Sequence, residues 1–144
     1  MIELLQSDTF WSALGAIATV FATIAIYLAA RQLRFDAWIK TQERFMDKDF
    51  TDARTRVFAF LDDPKITLTD DDKYLICRRM DELAHLAQFL GKGKVLKYWG
   101  VPIANSWFIL QSFVEEERKR CKNDSKWEAF KGLGIEALKD HPRN

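Results

Sequence analysis

Residues 10 to 30 (FWSALGAIATVFATIAIYLAA) carry no charge over 21 positions, while the chain after Ala30 is polar enough as a whole to be soluble. At about 1.5 Å rise per residue, a helix over 10–30 crosses the ~30 Å hydrocarbon core of a bilayer. The pattern predicts an N-terminal flank over 1–9, a transmembrane helix over 10–30, a juxtamembrane helix over 31–47 and a cytoplasmic helical domain over 48–144. A cleaved leader fits poorly: there is no basic n-region, the apolar run exceeds the usual 7–15 residues, and a charged helix follows at once.

Leu33, Ala37, Trp38, Phe45 and Met46 keep the helical period among charges, so the juxtamembrane helix continues the span without a flexible linker. Asp49 or Thr51 is expected to cap a short helix containing Ala53, Val57, Phe58, Phe60 and Leu61, ended by Asp62-Asp63-Pro64. Thr69 and three aspartates introduce a helix to Leu90, with Ile76, Met80, Leu83, Ala87 and Leu90 along one seam and Gly91 as its stop. Gly91–Gly100 reads as a loop or one short helix, and Pro102 as the opening of a long helix with Ile103, Trp107, Leu110 and Val114. Ser125 and Glu128 form a capping box for a last helix bearing Trp127, Phe130, Leu133 and Leu138, stopped by His141-Pro142. No segment alternates with period two, so the fold class is all-α, with one transmembrane helix leading into a small cytoplasmic bundle.

At 100° per residue the span divides into three faces. Gly15, Ala18, Ala22, Ala25 and Ala29 form a seam of small residues, which permits the close helix approach on which association in lipid depends. Leu14, Ile17, Val20, Phe21, Ile24 and Leu28 form a bulky face suited to lipid tails. Ser12, Ala16, Thr19 and Thr23 fall on a third line. Parallel copies packed through the small seam would turn that line towards a common axis, making Ser12, Thr19 and Thr23 pore-lining candidates. The alternative is that the hydroxyls bond back to their own helix. Trp11 and Tyr27 read as interfacial anchors.

Charge adds orientation. The net charge is +1, but Glu3 and Asp8 are the only charged residues of the first thirty, so the remainder carries 22 basic against 19 acidic side chains. Arg31, Arg34 and Lys40 directly follow the span, and the positive-inside rule then puts the N-terminus outside and the domain in the cytoplasm of the inner membrane. Cys77 and Cys121 form no disulfide or zinc framework.

Catalytic signatures are missing: there is no Walker A loop, G-x-S-x-G, H-E-x-x-H or C-x-x-C, so the chain is not read as an enzyme and no cofactor or metal is called for. His85 is expected to be a satisfied, partly buried residue, and Asp70, Asp71 and Asp72 to be first-turn helix charge. Ligand-binding candidates are Lys92, Lys94 and Lys97 beside Tyr98 and Trp99, since ammonium groups with aromatic faces suit phosphate contact plus base stacking. Arg78 and Arg79, and Arg118, Lys119, Arg120 and Lys122, are further basic groups able to join them in an oligomer. The competing reading is a solvated loop with Trp99 in the core.

The Asp49-Phe50-Thr51-Asp52-Ala53-Arg54 stretch, the mid-chain Trp107 helix and the terminal Trp127-Glu128-Ala129-Phe130 segment resemble a family of small uncharacterised bacterial single-pass membrane proteins. Some proteins of that kind resemble the transmembrane effectors of anti-phage defence operons, of which the Hailong-type system is one example. The resemblance implies a membrane effector whose cytoplasmic helices sense a ligand, such as a nucleotide or oligonucleotide made by an operon-encoded partner, and whose spans perturb the membrane; together with the three faces of the span, the expectation is a homo-oligomer acting as a ligand-gated pore or otherwise depolarising the membrane. The alternative expectation is a non-conducting anchor or adaptor that recruits a cytoplasmic partner.

Overall fold

The computed structural model describes residues 8–142, and among them all regular structure is helical. Five helices follow in order: α1 Asp8–Phe45, α2 Lys48–Asp62, α3 Asp70–Leu90, α4 Lys92–Cys121 and α5 Glu128–Asp140. The expected flank over 1–9 lies outside the described residues except for Asp8 and Thr9, which open α1.

The chain divides into two compact units, and the division falls between Ala37 and Trp38, within α1. The last turns of the predicted juxtamembrane segment therefore belong to the helical domain. In the first unit, the helix over 8–37 holds one stretch long and apolar enough to cross a membrane, and none of that stretch is buried.

In the second unit, α4 packs on α3 and α5, α3 on α5, and α2 on α3 and α4. Phe45, Phe50, Val57, Ile76, Met80, Leu83, Ile103, Leu110 and Phe130 are fully or almost fully buried between them. Each such side chain contributes about 1.5–3 kcal/mol relative to exposure. Phe45, at the end of α1, packs against Phe50 and Trp99 with ring centroids 4.8 and 4.7 Å away, so α1 ends inside this core.

Local chemistry explains the helix ends. Thr69 caps α3 as expected, its hydroxyl accepting the Asp72 N–H at 3.2 Å. Gly91, with φ of +96°, both stops α3 and precedes α4, a conformation that favours glycine. Three local expectations are corrected. The segment 91–100 is neither a loop nor a separate helix: α4 begins at Lys92 and runs through Pro102. Burial of Val95, Leu96 and Trp99 holds that first part helical although Pro102 has no N–H for the Tyr98 carbonyl. Neither Asp49 nor Thr51 caps α2, which starts earlier, with Asp47 at its N-cap and the Thr51 N–H bonded to the Asp47 carbonyl at 2.9 Å.

The Ser125–Glu128 capping box also does not form. Trp127 takes a left-handed conformation with φ of +55° at the N-cap of α5. The Glu128 carboxylate accepts instead from Arg118, at 2.7 Å, and the Ser125 hydroxyl donates to Asn123. The capping carboxylate comes from another helix: Asp81 on α3 accepts the Phe130 N–H at 2.9 Å.

Candidate functional site

Within the apolar unit, the small seam Gly15, Ala18, Ala22, Ala25 and Ala29 is exposed throughout, as are Leu14, Ile17, Val20, Phe21, Ile24 and Leu28. A methyl group added at Gly15 would meet nothing within 4 Å. Thr19 donates its hydroxyl to the Gly15 carbonyl, and Thr23 donates to the Thr19 carbonyl, each at 2.8 Å. Both protons are thus satisfied within the helix, and only oxygen lone pairs remain to be offered outward. Ser12 is exposed on the same line.

Within the helical domain, three guanidinium groups meet at one carboxylate. Glu82 on α3 accepts from Arg79 Nη1 at 3.0 Å and from Arg78 Nε at 3.3 Å, and Arg44 Nη1 in the last turn of α1 stands 3.6 Å away. One carboxylate cannot neutralise three cations, so the cluster keeps excess positive charge. Arg44 and Arg78 are well exposed, and the buried Nε of Arg79 has no hydrogen-bond partner. Planar guanidinium forks on two helices, open to solvent, form a surface suited to a phosphate or other oxyanion. Arg44 is not among the candidates the sequence offered, because only the inclusion of the last turns of α1 in the helical domain brings it to Arg78 and Arg79. Its place in the last helical turn was the available signal.

A second basic surface lies at the N-terminal half of α4. Lys94, Lys97 and Tyr98 are exposed on one side of the helix, and Lys94 Nζ stands 5.5 Å from the Trp38 ring centroid. Trp38 in turn packs on Tyr98 at 5.8 Å. Lys92 is paired with Glu136 at 3.0 Å. Trp99 is only 9% exposed, packs on Phe45 and has the Arg54 guanidinium 5.8 Å from its ring, so it belongs to the core rather than to this surface.

In the third basic group the two arginines are held in internal pairs. Arg118 is buried, donating to the Lys126 carbonyl and to Glu128. Arg120 donates from Nε and Nη2 to Glu117 at 2.7 and 2.8 Å, and Tyr74 and Lys126 donate to the same carboxylate. The Arg120 bonds, followed by the Tyr74 hydroxyl, hold the Glu117 carboxyl well below the usual range, and Arg120 is correspondingly raised. Lys119 and Lys122 are exposed. Twenty-two residues of continuous helix separate Lys97 from Lys119, about 33 Å, so these basic groups do not meet in one copy of the chain.

His85 is exposed rather than partly buried, with Nε2 3.5 Å from Asp81 Oδ2. Among the described residues, no three His, Cys, Asp or Glu side chains are grouped as metal ligands. Cys77 is buried, and that burial pushes its thiol well above the ordinary range. An apolar groove of about 340 Å³ between Phe60, Ile66, Leu68, Ile109 and Phe113 has Lys73 at its edge, already paired with Asp70.

Comparison of the chain with protein-family models, with curated proteins and with solved structures gives no match.

Proposed function

We propose that this protein is a homo-oligomeric effector of the bacterial inner membrane, with the apolar part of α1 as its single span and the helical domain in the cytoplasm. The domain binds a nucleotide or oligonucleotide and through it controls the packing of the spans, opening a pore or otherwise depolarising the membrane. The observation that carries this reading is the convergence of Arg44, Arg78 and Arg79 on Glu82. A phosphate there would compete with Glu82 and tie α1 to α3, and Arg44 sits on the same unbroken helix as the apolar segment. A ligand shifts the spans only if their two packings bind it differently, and a residue on α1 gives it that difference. The resemblance to anti-phage effectors fits a signal of this chemistry supplied by an operon-encoded partner.

The test is ion flux from liposomes containing the full chain, with short oligonucleotides or nucleotides added on the domain side. Ligand-dependent flux that Arg44→Ala abolishes is expected. A wild type that binds none of these anions and never conducts overturns the reading.

One observation favours a second reading, a non-conducting anchor or adaptor: Thr19 and Thr23 direct their protons into their own helix. An adaptor keeps its activity when residues 10–30 are replaced by an unrelated span, whereas a pore loses it.

A further inference from the structure

The Lys94–Lys97–Tyr98 surface stands apart from the arginine cluster, and its composition is that of a membrane interface. Lys94 and Lys97 have no carboxylate within ion-pairing distance among the described residues, so their charge is uncompensated. Between them and beside them lie Tyr98, 61% exposed, Val101, 50% exposed, and the half-buried Trp38. Residues 94, 97, 98 and 101 fall within one arc of α4 by helical period. The Lys94 ammonium over the Trp38 ring of a Trp–Tyr pair, with Lys97 and an exposed aliphatic residue on the same arc, matches the headgroup level of a bilayer, where aromatic rings and lysines are enriched.

We infer that the face of α4 bearing Lys94, Lys97, Tyr98 and Val101, together with Trp38, binds the anionic headgroups of phospholipids at the cytoplasmic leaflet. The inference rests on residues 10–30 crossing the membrane, and not on the identity of any soluble ligand. Lipid phosphates lie against Lys94 and Lys97, while Tyr98 and Val101 enter the interface.

The full chain is reconstituted into phosphatidylcholine vesicles with or without phosphatidylglycerol, carrying one environment-sensitive fluorophore at Val101→Cys in a Cys121→Ser background. A matched chain carries the label at Asp124→Cys instead. Quenching by a water-soluble agent at position 101 is expected to fall several-fold when phosphatidylglycerol is present, with no change at position 124. A basic residue near an anionic leaflet contributes about 1 kcal/mol, so Lys94→Gln with Lys97→Gln should weaken the lipid dependence on the order of tenfold or more. Circular dichroism and melting of that variant check its fold, and inorganic phosphate at matched ionic strength should not reproduce the protection. Equal quenching at position 101 in both vesicle types, with the protein resistant to alkaline extraction, overturns the headgroup site and leaves the span reading intact. Release of the protein by alkaline extraction overturns the span reading itself.

Discussion

Phe45 and Trp99 pack with ring centroids 4.7 Å apart, at the point where α1 enters the helical domain, and the Arg54 guanidinium stands 5.8 Å from the same indole. The adjacent Tyr98 is 61% exposed, so two consecutive aromatic residues divide between core and surface. Trp99→Ala should therefore cost about 3–5 kcal/mol, as removal of large buried aromatics does. Tyr98→Ala should change stability by no more than about 0.5 kcal/mol, as expected for an exposed position. Urea denaturation of the full chain in detergent, followed by the domain's fluorescence, distinguishes them; equal effects would mean that Trp99 is not packed.

Helical period in the sequence is sufficient for the all-helical class, the seam of Ile76, Met80, Leu83 and Ala87 and the Thr69 and Gly91 punctuation, because each depends on residues within one or two turns. What it could not supply depends on distant partners. Asp81 caps α5 from 49 residues away, and Arg118 removes Glu128 from the expected capping box. Pro102 reads as a helix start by local rule, yet the buried Val95, Leu96 and Trp99 extend α4 beyond it in the N-terminal direction. The same limit applied to the candidate site. Lysines and arginines are visible as runs, but whether each stands without a carboxylate, as Lys94 does among the described residues, or is held internally, as Arg118 is, depends on tertiary pairing.

Gly134 illustrates another long-range constraint. A Cβ placed there would stand 2.5 Å from Trp107 Cγ and 2.6 Å from its Cβ, where α5 presses on α4. Trp107 is buried and packs edge-on against Phe130, so its ring has little room to move. Gly134→Ala gains helix propensity of about 1 kcal/mol. Forcing the helices apart costs about 1–3 kcal/mol or more, so net destabilisation is expected. Gly132→Ala, where the added methyl meets nothing within 4 Å, should stabilise. Thermal melting of both variants checks the opposite signs.

Acid should loosen the domain through its carboxylates. Arg56 Nε donates to Asp72 at 2.9 Å; that bond first, with the Thr69 hydroxyl in support, holds the Asp72 carboxyl below its ordinary value against the opposing effect of burial. Glu117 is lowered in the same direction by Arg120 and Tyr74. Unfolded Asp and Glu titrate near about 3.9 and 4.3. A lowered folded-state value means the unfolded chain binds protons first as pH falls. The stabilisation is therefore complete above those unfolded values and is lost as pH drops through the lowered folded ones. Melting temperature should be level above about pH 5 with respect to these groups and decline below about pH 4. Asp72→Asn should lower stability at neutral pH and flatten that decline; an unchanged acid slope would contradict the pairing.

Glu82 should act as a competitor for any anion at the arginine cluster. Removing its charge in Glu82→Gln leaves Arg44, Arg78 and Arg79 uncompensated, so affinity for a short oligonucleotide should rise, while Arg44→Ala should lower it. If three arginines contact phosphate on a single strand, log affinity against log salt should fall with a slope of about −2, and each arginine removed should reduce its magnitude by about 0.7. Fluorescence anisotropy over a salt series reads both quantities. Binding unaffected by Glu82→Gln and Arg44→Ala would exclude this cluster as the contact.

The small seam and the hydroxyl line of residues 10–30 make separable predictions. Gly15, Ala18, Ala22, Ala25 and Ala29 present no bulk to an approaching helix, so Ala22→Leu with Ala25→Leu should block close packing and leave monomers in chemical cross-linking within membranes. Thr19→Val with Thr23→Val keeps side-chain volume and removes hydroxyls that already donate to the Gly15 and Thr19 carbonyls. Assembly should survive that change, since no proton available to a neighbour is lost. Conduction should fall if the threonine oxygens line a wet axis, because their lone pairs are what such an axis would offer to ions or water. An oligomer that persists with unchanged flux would remove the threonines from the pore, and one that never conducts would favour the anchor, with the seam serving assembly alone.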